Sequence, residues 1–130
     1  MTQKALALIN LGLSPEKASA IESETATAQS LTSVASAVTA AGTVIGDATQ
    51  LTAISNRLGT VAASTGVRLP RNIEIGGGAE VRNDGANTVN VFPPETTDQI
   101  NNLSAGAAFT VATNVSATFR RVSSTRLITV

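Results

Sequence analysis

From residue 66 to its end, the chain alternates apolar and polar residues in short runs separated by turn-forming residues. Val67 and Leu69 precede Pro70, and Ile73 and Ile75 precede Gly76-Gly77-Gly78. Val81 and Asn83 lead into Asp84-Gly85, and Val89 and Val91 follow. A period of two places every second side chain on one face, the signature of a strand with one buried side. Asp84-Gly85 between two such runs predicts a β-hairpin with a type I′ turn. Phe92 is followed by Pro93-Pro94, which cannot continue an interior strand. Three further runs cover Phe109 to Val111, Val115 to Val122 and Leu127 to Val130, with Val115, Ala117 and Phe119 sharing a face. Short strands with a turn about every ten residues predict a mainly β fold, a small antiparallel β-sandwich or barrel.

The first 28 residues read differently, as a short helical N-terminal arm. Thr2 caps a helix with Leu6 and Ile9 on one face, and Gly12 closes it. Ser14 caps a second helix, with Pro15 at its first position and Glu16 in its first turn. Leu13, Ala18 and Ile21 form its apolar side. Two helices this short cannot hold a core alone. The arm therefore packs on its own domain, on a neighbouring copy or on a different protein. The domain organisation expected is an arm over residues 1–28 and a β-rich domain over residues 29–130.

Residues 29–65 fit two descriptions. Leu31, Val34, Val38, Ala41 and Ile45 have helical spacing, as do Leu51, Ile54, Leu58 and Val61. The two runs are out of register, with Gly42 and Gly46 between them, and they lack the charged flanks of a coiled coil. The same stretch is rich in Thr, Val and Ser, which suit a pleated surface. Spacing alone leaves strand and helix both open.

Composition sets the depth of the core. Ala, Ser and Thr make up 51 of the 130 residues, and Leu, Ile, Val and Phe only 33. Small side chains bury little area each, at roughly 25 cal/mol per Å² of apolar surface. Ordering each residue costs about 1.5 kcal/mol, so a core this thin is expected to gain stability by burying surface between copies. A homo-oligomer is the expectation.

The missing residue types exclude chemistry. There is no Cys, His, Trp or Tyr, and the aromatic residues are Phe92, Phe109 and Phe119. Triads built on His, thiol nucleophiles, zinc sites of the usual N/S type and disulfides are excluded. Nucleic-acid binding by aromatic stacking is not expected with so few rings, and the formal net charge of zero supplies no attraction for a polyanion or an anionic membrane. Lys4, the apolar run Ala5 to Leu13 and Ala18-Ser19-Ala20 loosely imitate an export signal. Asn10, Gly12, Glu16 and Lys17 interrupt that pattern. No run of 18 apolar residues suggests a membrane-spanning helix.

The remaining constellations read as structural. Glu22 and Glu24 diverge on a helix, and Glu74 and Glu80 flank the triple glycine without a pocket or supporting groups. The glycines lack the Gly-Lys-Ser/Thr of a phosphate-binding loop and lead into a strand pattern, so they read as a connection or bulge. Asn83, Asp84 and Asn87 lack the closing Glu of a calcium loop. Arg120-Arg121 puts one arginine on each face of a strand, one of them a candidate for burial at a subunit contact. No catalytic residue, metal ligand or cofactor is expected.

One succession of segments is familiar. Ala41-Gly42-Thr43, Asp47-Ala48-Thr49 and Leu51 are followed by Asn56 and Thr60-Val61-Ala62. Gly66-Val67-Arg68-Leu69-Pro70 comes next, then Val81-Arg82-Asn83 with Gly85-Ala86, Val89-Asn90-Val91-Phe92-Pro93 and Ile100-Asn101. Over roughly residues 38–120 this order resembles the small β-structured proteins that decorate the heads of tailed bacteriophages. Glu95 to Gln99 stand where such proteins often carry a glycine, and their late Trp is absent. The resemblance implies strand and extended connection over residues 36–65. It implies a virion protein on the outer capsid surface that binds the major capsid protein as a symmetric oligomer, with a trimer favoured and a dimer possible. Leu6, Ile9, Leu13 and Ile21 would then be capsid-contact residues of the arm. The alternative is a fibre or tail-tip module that binds a host receptor.

Overall fold

The computed structural model describes residues 34–130, and the arm with Leu6, Ile9, Leu13 and Ile21 lies outside them. Ten strands and no helix occur among the described residues: β1 (Val34–Thr39), β2 (Thr49–Gln50), β3 (Ser55–Thr60), β4 (Gly66–Arg68), β5 (Gly78–Asn83), β6 (Val89–Phe92), β7 (Gln99–Ile100), β8 (Phe109–Val111), β9 (Val115–Ser123) and β10 (Arg126–Thr129). The mainly β expectation holds, and β1, β2 and β3 fall in the described part, residues 34–65, of the stretch that also fitted a helix.

The strands build two sheets, one of six in the order β1-β3-β5-β9-β10-β7 and one of four in the order β2-β4-β6-β8. From β1 to β9 successive strands alternate between the sheets, so the chain winds in three stacked coils: β1 with β2, β3 with β4, and β5 with β6. Each coil pairs with the next in parallel, through Ser55↔Glu80 and Leu58↔Asn83 in the larger sheet and Thr49↔Val67↔Val91 in the smaller. The stack ends in antiparallel pairs, β5 with β9, β9 with β10 and β6 with β8. The expected antiparallel sandwich or barrel is therefore corrected to a solenoid-like stack of mostly parallel strands. A parallel pair needs a crossover, and here the strand of the opposite sheet supplies it.

The Asp84-Gly85 hairpin is also corrected. β5 and β6 lie in different sheets, and neither Asp84 nor Gly85 has positive φ. Asn83 makes the corner. Its Oδ1 accepts the Gly85 N–H at 2.9 Å, while its Nδ2 donates to the carbonyls of Asn87 and Val111 at 2.8 and 2.9 Å. Glycine is needed at 85 for space: a Cβ there would lie 2.6 Å from Val61 Cβ. The same holds at Gly78, where a Cβ would lie 2.3 Å from the Phe119 carbonyl oxygen across the β5–β9 pair.

The core lies between the sheets. Leu58, Ala79, Val81, Ile100, Phe119 and Leu127 of the larger sheet face Val67, Val89, Val91 and Val111 of the smaller, with Leu51, Val61 and Leu69 at the corners. Phe109 meets Phe119 edge-to-face, with ring centroids 5.6 Å apart. Asn56 is fully buried. Its Nδ2 holds the carbonyls of Ala53 and Glu80, and its Oδ1 has no hydrogen-bond partner. Among the described residues β1 is the edge strand of the larger sheet. It bulges at Ala37, which has a φ of 58° and lies against Gly59. Bulges commonly disrupt a sheet edge in this way.

Candidate functional site

Most charged side chains of the described residues are engaged in holding loops. Arg121 enters the interior from β9, donating from Nη2 to Asp98 Oδ2 at 3.0 Å and from Nε to the Ile73 carbonyl at 2.8 Å. Its Nη1 donates to the carbonyls of Ser123 and Ser124. Asp98 also accepts the Glu95 N–H. Arg68, nearly buried, donates to the Pro94 carbonyl at 2.7 Å and to Glu95, whose other oxygen lies 3.7 Å from Arg71. These five charged groups fasten the segment after Pro93-Pro94 to both sheets. One arginine of the Arg120-Arg121 pair is thus buried, but by its own chain and not by a subunit contact.

A second cluster lies at the β5–β6 corner. Arg57 and Arg82 occupy paired positions on β3 and β5, and Asp84 lies between them. Arg57 Nη2 donates to Asp84 Oδ2 and Arg82 Nε to Oδ1, each at 2.7 Å. The hydrogen bonds from Arg82 and Arg57 hold the Asp84 carboxyl below its ordinary pKa. With its carboxylate engaged on both oxygens, Asp84 is a partner for arginine and not a free base.

The glycine run and the Asn/Asp turn hold no ligand geometry. Gly76 N–H donates to the Arg121 carbonyl and Gly77 N–H to that of Glu74, so these donors are engaged inside the chain. Among the described residues no group of three or more acidic side chains is placed to hold a metal ion, and no helix is long and apolar enough to cross a membrane. Glu22 and Glu24 lie outside the described residues.

The outer face of the six-stranded sheet is different. Gly76 and Gly78 line a shallow open depression of about 260 Å³ together with Ile54, Ala79, Glu80, Thr118, Phe119 and Arg120. Glu80 and Arg120 sit diagonally on neighbouring strands, since Gly78 pairs with Arg120 and Glu80 with Thr118. Neither side chain forms an ion pair or hydrogen bond among the described residues. Ile54 lines this depression, and Ile75 and Val122 flank the Gly76–Arg121 hydrogen bond at its rim. All three are exposed, Ile75 by 65%. The sequence singled out Glu80, Gly76-Gly77-Gly78 and Arg120, but not that the β5–β9 register brings them onto one surface with Ile54.

No protein-family model, curated protein or solved structure matches the chain. Fold and surface together define a class, a solenoid-like β module whose larger sheet exposes Ile54, Ile75 and Val122 on its outer side.

Proposed function

We propose that this chain is a structural protein of a phage virion, decorating the outer surface of the head and stabilising it by binding between major capsid protein subunits as a symmetric homo-oligomer. The observation that carries the reading is the outer face of the larger sheet. There, apolar side chains lie exposed beside an acid and a base that have no partner among the described residues. Such a surface suits contact with a neighbour. The resemblance over residues 38–120 supplies the setting, and the thin core supplies the reason to assemble.

The mechanism is mass action. A protein that binds the assembled lattice but not its dissociated subunits shifts the equilibrium toward the lattice. Symmetric copies engage several points at once, so a modest affinity per contact suffices. The arm residues Leu6, Ile9, Leu13 and Ile21 contribute capsid contacts in this reading. A second reading, a fibre or tail-tip module that binds a host receptor, is favoured by the stacked coils, because solenoids present extended binding surfaces.

Counting copies of the chain per particle separates the two readings. Quantitative gel analysis or cryo-EM of the virion finds many copies spread over the head for a decoration protein. A few copies confined to one vertex or to the tail overturn that reading in favour of the receptor binder.

A further inference from the structure

We propose that Asp84-Gly85 is a latent backbone-modification site, prone to succinimide formation and isoaspartate, and that Arg57, Arg82 and Asn83 hold it unreacted in the folded chain. This inference does not rest on the capsid reading.

The reaction joins two neighbouring groups. The Gly85 amide nitrogen attacks Cγ of the protonated Asp84 carboxyl, a C–N bond forms, the C–O bond to the carboxyl hydroxyl breaks, and that hydroxyl leaves with the amide proton as water. A water molecule then opens the five-membered imide at either carbonyl, giving aspartate or isoaspartate with no net change in composition. A following glycine offers the least steric hindrance to ring closure. Asp84-Gly85 is the one Asp-Gly step in the sequence.

Every participant is restrained. The nucleophile is occupied, because the Gly85 N–H donates to Asn83 Oδ1 at 2.9 Å. Asn83 cannot swing away: it is fully buried, and its Nδ2 is anchored on two carbonyls. Gly85 itself is packed against Val61. The electrophile is held by Arg57 on Oδ2 and Arg82 on Oδ1. Ring closure requires the carboxyl group to turn toward the nitrogen and leave both arginines. It also proceeds through the protonated carboxyl, which the two guanidinium groups disfavour. Isomerisation would add one methylene to the main chain at the corner joining the two sheets, so its suppression bears on how long the stack keeps its register.

The full chain is incubated at neutral pH and 37 °C, native and in denaturant, then digested with a protease that cleaves before aspartate but not before isoaspartate. Missed cleavage at Asp84, confirmed by electron-based fragmentation, gives the rate. The native chain should isomerise at least roughly fivefold more slowly than the denatured chain, the factor supplied by one hydrogen bond of ordinary net strength. The variant Arg57→Gln/Arg82→Gln, checked for an unchanged circular dichroism spectrum, should regain much of that factor. Where the double variant does not fold, Arg57→Gln alone carries the test, since its side chain is 62% exposed. Equal rates in native and denatured wild type overturn the proposal, and so does a folded variant that isomerises no faster than wild type.

Discussion

Arg121 and Asp98 form an ion pair at 3.0 Å with both side chains more than 90% buried. They come from strand β9 and from the segment after Pro93-Pro94, 23 residues apart in sequence. Three main-chain carbonyls take three more of the guanidinium's five donors, so much of the charge is solvated by the chain itself. Nothing about this arrangement calls for a ligand.

Removing one partner should be severe. Asp98→Ala leaves a buried guanidinium without its counter-charge, a change that costs about 3–5 kcal/mol. That is a large part of the roughly 5–15 kcal/mol that holds a domain folded. Urea unfolding should show the loss, and Asp98→Leu/Arg121→Met should lose less than either single change. A loss below about 1 kcal/mol for Asp98→Ala, the scale of an exposed pair, would contradict the interior role.

Two glycines should respond in opposite ways. At Gly78 an added methyl meets the Phe119 carbonyl of the paired strand, so Gly78→Ala should destabilise by about 1–3 kcal/mol. At Gly46 nothing lies within 4 Å and φ is not positive. Gly46→Ala should therefore be neutral, or stabilise by about 0.4–1 kcal/mol through the unfolded chain. Thermal melts of the two variants check the contrast.

The Arg57–Asp84–Arg82 cluster carries a pH signature. Arg82 and Arg57 depress the Asp84 pKa in the folded state, so the unfolded chain binds a proton at Asp84 more readily. The stabilising contribution is present above the ordinary aspartate pKa and is lost as pH falls through the depressed one. Carboxyl carbon shifts followed by NMR should place the Asp84 midpoint below the usual aspartate range. Arg57→Gln/Arg82→Gln should return it toward that range, and an unshifted midpoint in wild type would contradict the geometry.

The outer sheet face should carry contact between neighbours through charge as well as apolar surface. Reversal at either group, Glu80→Arg or Arg120→Glu, neither of which has a partner among the described residues, should weaken association of the chain with itself or with capsids. Monomer stability should change by no more than about 0.5 kcal/mol, as for other surface positions. Binding isotherms on shells and sedimentation of the free protein measure the two cases. Association unchanged in both variants would remove this face from the account.

The sequence made strand identity legible where alternation was strict, and pairing partners much less so. β8, β9 and β10 lie within one residue of the apolar runs that announced them, and β6 stops where Pro93-Pro94 requires. Leu51, Leu58 and Val61 fitted a helix by spacing, yet all three are core residues of strands and corners. Asp84-Gly85 read as a hairpin because local alternation is identical whether the next strand turns back or crosses to another sheet. What decides is Asn83, whose three hydrogen bonds bind the corner, and its partner Val111 lies 28 residues away. The Asp98–Arg121 pair and the meeting of Ile54 with Glu80 and Arg120 are likewise products of register, with no local pattern to announce them.

Under the proposed function, neighbouring molecules complete the thin core and the exposed sheet face. Sedimentation with light scattering on the full chain at micromolar concentration tests this most directly. A symmetric oligomer, trimer or dimer, is the result the account predicts. A well-folded monomer at that concentration would contradict it.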